Sequence, residues 1–143
     1  MVERLHRGKR IDNGEWVYGF YFCMYHDDDR KHLHHFIIPL NVSIPKDRPI
    51  GEIQVEVDPN TVGQCVSDLP DKNGKKIFEG DIVREDDVVR NGKIQIEGQA
   101  GRVSFVKCCY IIEFGESWDF LATNAKSVKV IGNIHDNPEL LGG

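Results

Sequence analysis

Hydrophobic side chains alternate with a period of two along most of this chain. Trp16, Tyr18, Phe20, Phe22 and Met24 fall on one side of an extended segment, and Val17, Gly19, Tyr21, Cys23 and Tyr25 fall on the other. Side chains of a strand repeat every two residues, so the pattern predicts a β-strand. Both of its sides are apolar, which predicts cover on both faces or pairing into an oligomer. His26-Asp27-Asp28-Asp29-Arg30-Lys31 breaks the run as a polar loop, and His34-His35-Phe36-Ile37-Ile38 resumes it as far as Pro39. A hairpin with a charged tip in solvent is the simplest reading. Pro45 and Pro49 mark Asn41 to Gly51 as a loop. Ile53, Val55 and Val57 then alternate with Gln54, Glu56 and Asp58 as a half-exposed strand, ended by Asp58-Pro59.

The second half reads the same way. Asp71-Lys72-Asn73-Gly74 is a tight turn, because Asn-Gly tolerates positive φ. Ile77-Phe78 and Ile82-Val83 are short strand pieces separated by a bend or bulge at Gly80. Asn91-Gly92 is a second hairpin turn, with Val88-Val89 before it and Ile94 and Ile96 after it. Val103 and Phe105 follow, then Tyr110, Ile112 and Phe114 on one face. Val128 and Val130 alternate until Ile131 breaks the pattern before Gly132, which predicts another bulge. Asn137-Pro138 has the form of an N-cap and a first helical residue, with room for one short turn. No long segment carries a helical period, so no helix should exceed about three turns. The fold class is mainly β. Glycine-marked corners between about Thr61 and Ile134 suit a small SH3-like barrel, preceded by an N-terminal hairpin region. The expected division is 1–58 and 59–143, the two parts sharing one core.

Composition narrows the class. The 143 residues suffice for a full core without a metal or disulfide staple. No apolar run approaches the roughly 20 residues of a membrane span, and Met1-Val2-Glu3-Arg4 lacks the apolar stretch of a signal peptide. Cys23, Cys65, Cys108 and Cys109 have no CxxC spacing and read as free thiols in a reducing compartment, with Cys108 and Cys109 on opposite faces of a strand. A cytoplasmic protein without membrane attachment is the expectation. The formal charge of −5 argues against non-specific binding to nucleic acid, which depends on neutralising phosphates.

Two constellations could carry chemistry. His26, Asp28, His32 and His34 mix imidazole with carboxylate; His32 and His34 share a strand face, and a hairpin could bring His26 or Asp28 opposite them. Such a set can bind zinc or nickel. The alternative is a solvated loop tip that keeps a hairpin from pairing with neighbours. Glu79 and Asp81, at i and i+2, could face one side as a carboxylate pair, although the simpler reading is that Asp81 braces a turn by accepting backbone N–H groups. Asn133 and His135 share a strand face by parity and could line the same cleft. Glu79, Asp81, Asn133 and His135 are the candidate binding residues. No local motif supplies a base for a nucleophilic cysteine, and no glycine-rich phosphate loop is present.

Four segments occur in order: Trp16-Val17-Tyr18-Gly19, Asp58-Pro59-Asn60-Thr61-Val62-Gly63-Gln64, the run from Asp71 to Val83, and Val130-Ile131-Gly132-Asn133-Ile134-His135-Asp136-Asn137-Pro138-Glu139-Leu140-Leu141. With them the chain resembles the YopX family, small proteins found mainly in phages and prophages. The resemblance implies an all-β fold with an SH3-like barrel, a cytoplasmic home in a bacterial host and a mobile-element origin. It implies no catalytic residue and no cofactor. One departure is local: where the family continues with an aromatic, a Thr and a Gly-Leu pair, this chain has Cys65-Val66-Ser67-Asp68-Leu69-Pro70. The reading is therefore a non-enzymatic accessory protein without cofactor or metal. It acts on an unidentified protein partner or by assembly, with a homo-oligomer as one way to cover the doubly apolar strand. The competing readings are a nucleic-acid-binding SH3-like module and a metal-dependent hydrolase built on the His and Asp cluster.

Overall fold

The alternating runs fold as short antiparallel strands. The computed structural model describes residues 5–25, 30–42, 46–47, 51, 53–66, 68–85, 88–90, 93–95 and 98–142. The chain divides into two units, Met1–Cys65 and Val66–Gly143. In the first, β1 (His6–Lys9), β2 (Trp16–Tyr25), β3 (Leu33–Pro39), β4 (Val55–Glu56) and β5 (Gly63–Gln64) form one sheet in the order β4-β3-β2-β1-β5. The expected hairpin is β2–β3, with Phe20 opposite Ile38, Phe22 opposite Phe36 and Met24 opposite His34. Its tip, residues 26–29, lies outside the described residues. Val17, Ile37 and Val57 form the buried cluster, with Tyr21, Val55 and Val62 packed on it. At Gly19 a side chain would run into the Ile38 carbonyl, so the hairpin needs glycine there to close.

The family-like segment after Val57 turns out to belong to this unit. Asp58 caps a 3₁₀ turn over Pro59–Thr61 by accepting the Asn60 N–H at 3.0 Å. The Thr61 hydroxyl accepts the Lys9 N–H at 2.8 Å and donates to the Asp58 carbonyl at 2.7 Å. Gly63–Gln64 then pairs with β1. The division expected after Asp58 accordingly falls after Cys65, because β5 completes the first sheet.

In the second unit the strands are β6 (Asp81–Glu85), β7 (Val88–Arg90), β8 (Lys93–Gln95), β9 (Gly101–Val106), β10 (Cys109–Phe114), β11 (Ser117–Phe120) and β12 (Val128–Asn133), with helix α1 (Leu121–Asn124) running into a 3₁₀ turn before β12. Five of them form a sheet in the order β11-β10-β9-β6-β12, and β7 pairs with β8 separately. β7 and β8 flank the expected Asn91–Gly92 turn, whose own residues lie outside the described ones. The core is Val66, Ile77, Val83, Val103, Ile112, Leu121, Ala125 and Val128. The register of β12 on β6 shifts between Val130 and Gly132, which is the bulge read from Ile131. Cys108 departs from expectation. Lys107 (φ 48°) and Cys108 (φ 66°) form a two-residue turn, so only Cys109 belongs to a strand. Positive φ at both central residues is the type I′ geometry that matches strand twist.

The mainly β class is as read; closure into an SH3-like barrel goes beyond the observed pairing, whose order ends at β11 and β12. Among the described residues the α-helix spans four residues, and no helix is long and apolar enough to cross a membrane.

The β12 end of this sheet is covered from within the unit. The Lys72 N–H bonds to the Val128 carbonyl at 2.9 Å, and the Val130 N–H bonds to Asp71 Oδ2 at 2.9 Å. The same buried carboxylate accepts the Asn73 and Lys75 N–H groups through Oδ1, each at 2.9 Å. One side chain thus shapes the Asn73-Gly74 turn and fastens it to the bulged strand. Asp71→Ala is expected to lower the free energy of unfolding by about 1–3 kcal/mol by stranding these donors. Urea melts should show a lower midpoint at unchanged slope, with Asp71→Asn, which keeps one acceptor oxygen, falling between.

Candidate functional site

Two of the four candidate residues meet at one corner of the second unit. Asp81 and Asn133 are register partners at the ends of β6 and β12. The Ile134 N–H reaches the Gly80 carbonyl at 2.9 Å and the Gly80 N–H reaches the Val103 carbonyl at 2.8 Å, so backbone bonds lock the corner on both sides. Asp81 is 2% exposed, and its Oδ2 accepts the Phe78 N–H at 2.7 Å. Gly80 sits at φ 92° and turns the chain between Glu79 and Asp81, so the two carboxylates are not alternate residues of one strand. Glu79 stays half-buried while Asp81 is enclosed. The parity argument for Asn133 and His135 also gives way. Asn133 is the last residue of β12, and His135 lies in the turn beyond it. The Asn133 side-chain oxygen Oδ1 shapes that turn by accepting the His135 and Asp136 N–H groups at 3.0 and 2.9 Å. Asn137 caps its own 3₁₀ turn with no side-chain bond and instead accepts the Asn133 N–H at 3.3 Å. A side chain on Gly132 would collide with it. The corner is built from polar side chains turned onto backbone, an arrangement that fixes geometry.

The histidines distribute differently. His26 and Asp28 lie outside the described residues. His32 precedes β3 and is exposed, whereas His34 lies on β3 with its Nδ1 3.0 Å from Glu56 Oε2 on β4. Among the described residues no group of three or more His, Cys, Asp or Glu is placed to hold a metal ion. His35, next to His34 in the sequence, accompanies Tyr21: the rings stack at 5.8 Å and the hydroxyl lies 2.6 Å from His35 Nδ1. Burial, joined by the adjacent Cys23 thiol, pushes the Tyr21 phenol above its ordinary value. It therefore keeps its proton at neutral pH.

One exposed apolar feature of the first unit was legible as a pattern but not as a site. Tyr18 (43%), Phe20 (54%) and Met24 (44%) expose one side of β2, and Leu40 exposes the turn after β3 beside Tyr18. Trp16 and Tyr18 open into a groove of about 380 Å³ with Val17, Pro39 and Leu40, rimmed by Arg10, Glu15 and Asn41. The Arg7 guanidinium lies 4.6 Å from the Trp16 ring centre and the Lys9 ammonium 5.3 Å, which fixes the indole as one wall. At the rim, Asp12 holds the Arg10 guanidinium through two bonds of 2.9 and 2.8 Å. The pairing raises the guanidinium and lowers the carboxyl relative to their ordinary values. An apolar floor with a polar rim is the anatomy of a protein-contact patch.

If Asp81 is a brace, Asp81→Ala should lower stability by about 0.5–2 kcal/mol, as removal of a capping acceptor does. A variant with wild-type melting that loses a binding partner would instead assign Asp81 to a contact.

With the geometry in place, comparison with known proteins gives a consistent answer. A family model described as YopX protein matches residues 6–142. No curated protein matches the chain. Among solved structures, the fold is similar to that of protein EF1440 from Enterococcus faecalis, with a TM-score of 0.56, 22% identity and 99% of each chain covered. The family match takes in both sheets, the Asp71 turn and the Asp81–Asn133 corner. The chain belongs to the YopX family.

Proposed function

We propose that this chain is a non-enzymatic accessory protein of phages and prophages that works in the bacterial cytoplasm by protein–protein contact. The observation that carries the reading is the exposed row Tyr18, Phe20 and Met24 beside the groove at Trp16. Exposed apolar patches beyond about 300–600 Å² are uncommon on monomers and mark interaction sites. A groove of this size accepts one bulky side chain of a partner as an anchor, and anchors of that kind dominate the energy of protein interfaces. The polar rim suits a partner with hydrogen-bonding groups around its anchor.

Membership of the YopX family supports an accessory role and supplies no catalytic residue. The polar constellations point the same way. Asp81 and Asn133 are engaged with backbone, and His34 is engaged with Glu56. A nucleic-acid role would rest on a basic surface, against which the net charge of −5 weighs.

The test places a photo-crosslinking amino acid at Phe20 in the full chain expressed in a bacterial host, with Lys31 as an exposed control position. A discrete adduct at Phe20 that vanishes with Tyr18→Asp is the expected result. Its mass then separates a different protein from a second copy. Crosslinking equal to that of the Lys31 control would remove the face from consideration.

A further inference from the structure

The two ends of the second sheet are treated differently by the chain. The β12 end is covered by Asp71 and Lys72. The β11 end carries no such cover among the described residues, and all four of its residues are exposed. It also contains neither the Lys nor the Pro that commonly protects an edge strand from pairing.

The direction of its backbone follows from the two hairpins beside it. The Lys107–Cys108 turn closes on the Val106–Cys109 pair, and bonded pairs then alternate along the antiparallel ladder. Odd-numbered residues of β10 therefore bond to β9, and even-numbered ones bond to β11. The second hairpin agrees: Gly115 (φ 63°) and Glu116 connect Phe114 to Ser117, the closing pair. Ser117 and Asp119, opposite Phe114 and Ile112, turn their backbone groups inward. Trp118 and Phe120 turn theirs outward. Phe120 is already satisfied, since its N–H donates to Asp119 Oδ1 at 2.7 Å and its carbonyl accepts Asn124 Nδ2 at 2.9 Å. Trp118 presents an outward N–H and C=O to the open edge.

We propose that β11 pairs with β11 of a second copy of this chain across a two-fold axis at Trp118. A residue with both groups facing outward is self-complementary, because each copy donates its N–H to the other's carbonyl. An isologous dimer asks for such a patch. Charge selects the same centre. With Trp118 opposite Trp118 of the second copy, Asp119 faces Ser117 and Glu116 faces Phe120. A centre at Glu116 would set like charges opposite each other, which is destabilising, and a centre at Phe120 would need groups that Asp119 and Asn124 already hold. Trp118 and Phe120 share one side of the strand, edge-to-face at 5.2 Å, so the axis gathers four aromatic rings on one surface. The contact is small, which places it among weak, concentration-dependent interfaces. All of its residues belong to the second unit.

Light scattering of the full chain from about micromolar to about millimolar concentration reads the equilibrium. The wild type should rise towards twice the mass of one chain. Trp118→Pro should remain a monomer with unchanged circular dichroism, since proline is tolerated where an edge N–H faces solvent. Trp118→Lys keeps the N–H but opposes two cations and should also remain a monomer, and it carries the test if the proline variant misfolds. Asp119→Ala frees the Phe120 N–H for the ladder and should shift the dimerisation midpoint to at least about tenfold lower concentration. Phe20→Asp should leave the dimer intact. A wild type that stays monomeric throughout, a dimer that survives both Trp118 substitutions, or a dimer abolished by Phe20→Asp would each overturn the proposal.

Discussion

A buried carboxylate must be given hydrogen-bond donors by the fold, and in this protein backbone N–H groups supply them. Asp71 accepts three of these bonds and joins a turn to a strand far away in sequence. Without it the bulge in β12 would leave a donor stranded, and the Asn73-Gly74 turn would lose the acceptor at its centre. Asp81 does the same on a smaller scale at the start of β6, and Asp58 does so before the 3₁₀ turn in the first unit. Short strands with few residues each gain their definition from these joints as much as from apolar burial. The clusters around Ile112 and Ile37 give cohesion, while the carboxylates determine which backbone groups meet.

Much of this was legible in the sequence because the period of two is a local property. The β2–β3 hairpin, the bulge beside Gly132, the turn at Asn73-Gly74 and the single helical turn after Asn137 all follow from residue types at fixed spacing. The turn at Lys107–Cys108 was not legible. Its type I′ geometry usually requires Gly or Asn, and neither residue announces a positive φ. Strands of two residues, such as β4 and β5, are too short to show a period, and so the end of the first unit was placed before β5. At the candidate corner, the register of β6 on β12 sets Asp81 opposite Asn133. The position of His135 came from an asparagine turn, which strand parity does not describe.

Three of the four segments that reveal the family make these joints. Asp58, Thr61, Asp71, Gly80, Asp81, Asn133 and Asn137 hold or bend backbone, and a recognisable sequence signature here encodes a scaffold. The exposed aromatic side chains lie partly outside these segments, at Phe20 on β2 and at Trp118 and Phe120 on β11, while Tyr18 belongs to a family-like segment itself. Resemblance and contact surface therefore overlap only at the start of β2. A shared fold of this kind can host different contacts without disturbing its frame.

The β7–β8 hairpin adds a practical dimension. It pairs only with itself among the described strands, and the Gly98 N–H to Glu85 carbonyl bond of 2.9 Å closes the chain at its base. Lengthening a loop whose ends are already held together adds little entropic cost. The segment between Glu85 and Gly98 is thus a natural socket: a fluorescent reporter or an affinity handle grafted there would ride on the second unit while leaving its sheet, and both chain ends, untouched.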